Sequence, residues 1–121
     1  MAEHNELGKK GEEIARKYLI EKGYKLIETN WRFGSDEIDI IAYNKNFCVI
    51  IEVKTRSNNA FGEPEESVSK QKQKFLIRAA NVFVQQRKIE NEVRFDIISV
   101  LFSGNTQKIN HIEDAFYPTL R

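Results

Sequence analysis

The stretch Phe47-Cys48-Val49-Ile50-Ile51-Glu52-Val53-Lys54-Thr55-Arg56 constrains this chain more than any other feature. Its apolar residues are dense enough for a strand in a sheet core, yet it carries an acid and a base two positions apart. Residues two apart in a strand project from the same face. Glu52 and Lys54 therefore stand side by side with Cys48, Ile50 and Arg56, while Val49, Ile51, Val53 and Thr55 line the other face. Glu and Lys are seldom buried unless paired or bound to something. On an exposed edge strand the pair would be a surface ion pair of little consequence. The flanking apolar run argues instead for an interior strand and a site.

A second acid lies within reach. Asp36 to Tyr43 reads as a strand, Asn44-Lys45-Asn46 is turn chemistry, and Phe47 to Arg56 should return antiparallel as a hairpin. Ile38, Ile40 and Ala42 are expected to point one way, and Glu37, Asp39 and Ile41 the other. The hairpin can close the separation between Asp39 and Glu52, so that two carboxylates meet beside one ammonium. Around it, Glu6 to Lys22 reads as a helix with Leu7, Ile14, Ala15, Tyr18 and Leu19 on one face and Gly23 as its stop. Tyr24 to Asn30 is expected as a strand and Trp31 to Ser35 as a turn or loop. Ser57 to Glu66 is a polar loop. Ser67 to Arg87 reads as a second helix with Val68, Phe75, Ala79, Val82 and Phe83 buried. Arg94 to Phe102 and Lys108 to Ile112 complete the strands. The order αβββαββ implies an α/β fold with a central mixed sheet, its helical crossover making the fourth strand parallel to a neighbour.

Two converging carboxylates and a lysine suit phosphodiester hydrolysis. Hard oxygen ligands hold Mg²⁺ or Mn²⁺, commonly one or two carboxylates with water and substrate phosphate. Such an ion acidifies a water and stabilises charge growing on the phosphate, and an ammonium adds electrostatic stabilisation. Asp39 and Glu52 would be the ligands, joined by the carbonyl of Val53, with Lys54 on the attacking water or the scissile phosphate.

At these residues the chain resembles the PD-(D/E)xK nuclease superfamily, with Asp39 as the Asp and Glu52-Val53-Lys54 as the E-x-K. It is more closely similar to the uncharacterised bacterial YraN family of that superfamily. The similarity runs through Gly8-x-x-x-Glu12-x-x-Ala15, Gly23-Tyr24, Asn30-x-Arg32, Glu37-Ile38-Asp39-Ile40-Ile41-Ala42, Glu52-Val53-Lys54-Thr55-Arg56, Phe61-Gly62, Val68 with Lys72, and Arg94-Phe95-Asp96. The resemblance implies a single restriction-endonuclease-like domain over residues 1–121, akin in fold to Holliday-junction resolvases. It implies nucleic acid as the ligand, DNA ahead of RNA, and speaks to fold and site rather than to the reaction. The nuclease reading, with substrate structure as one basis of choice, comes from the site residues themselves. By analogy with resolvases it also implies a homodimer. Two positions depart from the pattern: Ile38 stands where the superfamily's name has proline, and Asp36 stands where the family usually has glycine.

The neighbouring polar residues carry two readings each. Glu12 matches the family's first-helix Glu and is either an accessory catalytic ligand or a solvated helix residue. Glu37 either lines the site or pairs with Arg32 or Arg56. Lys72, at a family position, is a phosphate contact or one of the wet-face lysines with Lys70 and Lys74. Arg56 grips a phosphate or pairs with Glu63. Asn30, Trp31 and Arg32 offer stacking and phosphate contact, with Trp31 as core the simpler assignment. Asp96 reads as a polar strand residue. His4 and His111 are isolated and do not suggest zinc, and Gly8-Lys9-Lys10-Gly11 lacks phosphate-loop spacing.

Composition bounds these readings without choosing among them. A chain of 121 residues, 40% hydrophobic and 31% charged, suits one soluble domain. No apolar run approaches the ~18 residues of a membrane span, Met1 to Lys10 is too polar for a signal peptide, and the lone Cys48 forms no internal disulfide. A reducing cytoplasm is expected. A net charge of +1 is low for a DNA binder. It keeps two rivals to the nuclease in view: a nucleic-acid-binding module with little or no catalysis, and a protein-interaction domain on the same scaffold.

Overall fold

The computed structural model describes residues 2–57 and 68–118, with side chains from Glu6 onward. The polar loop, the Phe61-Gly62 match, Glu63, Ser67 and the side chain of His4 lie outside the described residues. The elements are α1 (Ala2–Glu21), β1 (Lys25–Phe33), β2 (Asp36–Asn44), β3 (Phe47–Ser57), α2 (Lys70–Arg87), β4 (Glu92–Ser103) and β5 (Thr106–Phe116). The five strands form one sheet in sequence order. All neighbours are antiparallel except β3 and β4, which α2 connects and makes parallel. This is the expected αβββαββ mixed sheet between helices. No helix among the described residues is long and apolar enough to cross a membrane.

Each helix covers one face of the sheet. Ala15 and Leu19 of α1, with Tyr24, pack on Ile40, Ala42, Val49, Ile51, Ile98 and Val100. On the other face Leu76, Ala79, Ala80 and Phe83 of α2 pack on Ile38, Ile41, Cys48, Ile50 and Phe95. Leu76 and Ala80 thus join the α2 stripe, whereas Phe75 and Val82 are only half-buried. Helix α1 ends in a Schellman turn: Gly23 (φ 96°) donates to the Ile20 carbonyl at 3.0 Å and Tyr24 to that of Leu19 at 2.9 Å. Helix α2 starts at Lys70 because Ser69 caps it, its Oγ accepting the Lys72 N–H at 3.0 Å.

Two strand expectations are corrected. Trp31 to Phe33 is not a turn but the end of β1, paired as Trp31↔Ile38, Arg32↔Glu37 and Phe33↔Asp36. Only Gly34 and Ser35 connect it to β2, with Gly34 at φ 66°. Nor do Ile38 and Ile40 share a face: Ile38 packs with the α2 cluster alongside Ile41, and Ile40 with the α1 cluster. The alternation slips because Asn30 takes a left-handed backbone (φ 51°) opposite Asp39. The register passes from Thr29↔Ile40 to Trp31↔Ile38, leaving both residues out. The last strand is also longer than its apolar residues suggest, since most side chains between Thr106 and Asn110 are exposed.

Candidate metal centre

The slip at Asp39 coincides with the place where two strands part. β2 pairs with β3 from Asn44↔Phe47 to Ile40↔Ile51 and no further, while β3 stays paired with β4 as far as Ser57↔Phe102. In the notch that opens, the Val53 N–H donates to Asp39 Oδ2 at 2.8 Å instead of to a carbonyl across the ladder. Across β2, Asn30 Nδ2 donates to Glu12 Oε1 at 3.1 Å and to Glu37 Oε2 at 3.0 Å. Asn tolerates the left-handed backbone that aims the amide this way. Glu12, Glu37 and Asp39 consequently present one carboxylate oxygen each within 4.8 Å of one another. α1 brings Glu12 this close because Gly11 lies against Thr55, where a Cβ would overlap the threonine side chain.

Glu52 enters from β3. Its side chain is 12% exposed, and the buried Oε1 has no hydrogen-bond partner. The nearest cation is Lys72 Nζ at 3.9 Å, and that ammonium is engaged elsewhere, donating to Asp36 Oδ2 at 2.9 Å. Asp36 is in turn fixed by the Glu37 N–H at 2.7 Å.

Crowding acids in this notch raises their hold on protons. Burial, and after it the Glu52 carboxylate, pushes Asp39 up to about 8, against the lowering effect of the Val53 N–H and Lys72. Burial also raises Glu52, with Lys72, Lys54 and a hydrogen bond with the Asp39 carboxyl opposing. Asp36 moves the other way: burial favours its neutral form, but the bonds from Lys72 and the Glu37 backbone outweigh it and hold its carboxyl below the usual value. Lys72 is raised for the reciprocal reason, as Asp36 and Glu52 outweigh its burial.

The structure thus gathers Glu12 from α1 with Glu37 and Asp39 from β2, and Glu52 of β3 lies close enough to act on Asp39. Lys54 follows Glu52 on β3, near enough to lower the Glu52 carboxyl. Val53 meets Asp39 through its N–H. Arg32 pairs with Glu37 at 3.4 Å, the partner weighed for it from sequence, and is 65% exposed. Arg56 continues β3, in register with Leu101. Lys72 turns inward to Asp36 rather than outward. Trp31 is core, edge-on to Phe83 with ring centroids 5.1 Å apart. The roles of Asn30 and Asp36 were not read from sequence. An Asn opposite the key acid, and an Asp replacing glycine beside Glu37, were their only signals.

Asp96 is the instructive comparison. Read as a strand polar residue, it is in fact buried to 1%. It accepts from Arg94 Nε and Nη2, each at 2.9 Å, and from the Asp114 N–H at 3.0 Å. It also meets His111 Nε2 at 2.7 Å, while His111 Nδ1 lies 2.9 Å from the Tyr18 hydroxyl. Despite burial, the His111 and Arg94 bonds hold its carboxyl below the ordinary value. The signal that exposes Glu52 and Lys54, charge inside an apolar run, marks Arg94 and Asp96 too. One carboxylate is saturated with donors; the other keeps an oxygen without one.

Comparison with known proteins agrees with the sequence resemblance. The pattern of the uncharacterised protein family UPF0102 matches residues 11–100. A UPF0102 protein of Bacteroides thetaiotaomicron is 51% identical over 120 residues, covering 99% of each chain. One from Flavobacterium psychrophilum is 50% identical over 117 residues, covering 97% of this chain and 98% of its own. One from Thermodesulfovibrio yellowstonii is 50% identical over 112 residues, covering 93% and 96%.

Proposed function

The chain belongs to the uncharacterised family UPF0102, and on that premise we propose that it is a Mg²⁺- or Mn²⁺-dependent nuclease hydrolysing phosphodiester bonds in DNA. The observation that carries this reading is the convergence of Glu12, Glu37 and Asp39, one carboxylate oxygen each within 4.8 Å of the others, with the buried Glu52 carboxylate close enough to raise Asp39 and its Oε1 accepting no hydrogen bond. An unpaired buried carboxylate oxygen is costly unless something binds it. A donor set made wholly of carboxylate oxygens fits a hard divalent cation.

Asp39 and Glu52 would hold the ion, with Glu12 and Glu37 in reach as further ligands. When bound, such an ion acidifies a water and neutralises charge growing on the phosphate. The chain's own part is preorganisation. The Val53 N–H fixes the Asp39 carboxylate, and Asn30 spaces Glu12 from Glu37, so the acids need little rearrangement. Lys54, two residues beyond Glu52, supplies an ammonium for the attacking water or the scissile phosphate.

The test is incubation of single-stranded, duplex and branched DNA with Mn²⁺, with metal uptake measured in parallel. The wild type is expected to cut at least one substrate. Asp39→Ala should lose uptake and cleavage together, and Lys54→Ala should lose cleavage while retaining uptake. Cleavage that survives Asp39→Ala would sink the proposal. One observation favours a second reading, a nucleic-acid-binding module with little or no turnover. Lys72, 2.9 Å from Asp36 and 3.9 Å from Glu52, already supplies positive charge from within the chain. Salt-dependent DNA binding without cleavage of any of the three substrates would mark that case.

A further inference from the structure

Beside the acids lies a polar cleft of about 470 Å³, between the Gly34-Ser35 turn and the first two turns of α2. Ser35 and Ser69 stand at its two sides, Lys74 and Arg78 project into it from α2, and Phe75 forms part of its wall. Its remaining charges, Lys72 and Asp36, neutralise each other at 2.9 Å. Lys74 and Arg78 form no ion pair among the described residues, so the cleft keeps a net positive charge in a chain whose total is only +1.

Three features of this cleft point to one ligand chemistry. Lys74 and Arg78 are both exposed, so a phosphate reaches them without displacing a carboxylate of the chain. They stand one turn apart on α2, in its second and third turns, and the helix's first turn holds no acid to oppose an anion. Phe75 is half-buried, tilted against Phe33 with ring centroids 6.1 Å apart, and the Arg78 guanidinium lies 6.0 Å from the Phe33 ring. Cations beside an aromatic ring suit unpaired nucleic acid, with phosphate on the charge and base against the ring; here the Lys72 ammonium also lies 5.2 Å from the Phe75 ring centre. A volume of about 470 Å³ has room for one nucleotide.

We infer that this cleft binds one nucleotide of a single DNA strand, its phosphate on Lys74 and Arg78 and its base against Phe75, immediately beside the acidic notch. This rests on the proposed function for its orientation toward the acids, but the binding it describes needs neither metal nor cleavage. The Asp36–Lys72 pair forms the partition between cleft and notch, since Lys72 also lies 3.9 Å from Glu52.

The experiment is fluorescence anisotropy of the full chain with a labelled oligodeoxythymidine, in EDTA, over a range of salt. Reversal of both charges, Lys74→Glu with Arg78→Glu, should weaken binding at least tenfold and flatten the salt dependence by about 0.7 in log-log slope, for the one strand phosphate that is no longer neutralised. Phe75→Leu, which keeps an apolar side chain against Phe33 and removes the ring, should weaken binding about tenfold. Reversing the exposed Lys17 on α1 should change affinity less than twofold. Failure of the wild type to bind, indifference to the cleft variants, an equal loss with Lys17→Glu, or equal affinity for a duplex of the same length would each overturn the inference. If cleavage is absent but binding follows the cleft variants, the cleft assignment stands and the nuclease reading falls. If cleavage occurs and the cleft variants bind normally, the reverse holds.

Discussion

Asp39 gives the candidate centre a thermodynamic signature that needs no substrate. Unfolded, its carboxyl releases a proton near its ordinary value of 3.8; folded, it holds that proton to about 8. Between these values the folded chain carries up to one more proton than the unfolded chain, so stability falls as pH rises and levels off above about pH 8. One proton corresponds to about 1.4 kcal/mol for each pH unit across the middle of the window. With a urea dependence of about 1–3 kcal/mol per molar for a small domain, the midpoint should drop by roughly 1 M between pH 6 and 7. Glu52, also raised, acts in the same direction. Asp36 and Asp96, both held low, have the opposite sign and lose stability only as pH falls below the ordinary carboxylate range. The assay is urea denaturation in EDTA at intervals from pH 5 to 9, for wild type and Asp39→Asn. The wild-type midpoint should decline and the variant's should decline much less, crossing above it near neutrality. Saturating Mn²⁺ should reverse the wild-type trend, because only the carboxylate form binds metal. Parallel pH profiles for the two proteins in EDTA would refute the claim that Asp39 is held protonated by its surroundings.

Replacing Lys72 with methionine removes the ammonium nearest Glu52, so Lys72→Met should bind Mn²⁺ severalfold more tightly by calorimetry. Unchanged or weaker uptake would show that Lys72 does not compete for the acids. Gly11→Ala places a methyl on the Thr55 side chain and should cost about 1–3 kcal/mol by urea denaturation. Adding Thr55→Ala should recover part of that loss. Asp96→Asn leaves the buried Arg94 only the exposed Glu113, at 3.8 Å, as countercharge and should cost about 3 kcal/mol, while Mn²⁺ affinity of the folded protein stays within twofold of wild type.

Sequence carried the architecture well where a period was clean. The alternation of β3 put Glu52 on the face of Cys48 and Ile50, and the structure shows those two packing toward α2. Gly23 and the β2–β3 turn were legible because backbone chemistry at those points admits few alternatives. What stayed hidden depended on partners distant in the chain. The slip that turns Ile38 away from Ile40 arises at Asn30 on another strand, and no period within β2 records it. Strand β5 is long because β4 pairs along it, not because its own residues prefer a strand. Asp96 looked ordinary because two of its donors, His111 and Asp114, come from a later strand. Lys72 looked like a wet-face lysine, since only the three-dimensional placement of Asp36 turns it inward.

The strand pairing explains how a fold can keep several acids near one another without collapsing around them. β3 is bonded to β4 through the whole length that carries Glu52, Val53 and Lys54, whereas β2 lets go of it beyond Ile51. The strand is therefore fixed on one side and open on the other. The Val53 N–H, released from a β2 carbonyl partner, becomes the donor that anchors Asp39. Had the β2–β3 ladder continued, Val53 would have spent its N–H on backbone and Asp39 would be without that anchor. The open ladder, the left-handed Asn30 and the missing donor on Glu52 are then facets of one local arrangement. It forgoes backbone bonding and raises proton affinity just where acids converge. Elsewhere the same chain neutralises a buried carboxylate with four hydrogen bonds, at Asp96. A sequence able to saturate one buried acid so fully, and leaving the other short of donors, has what the proposed cation site would require.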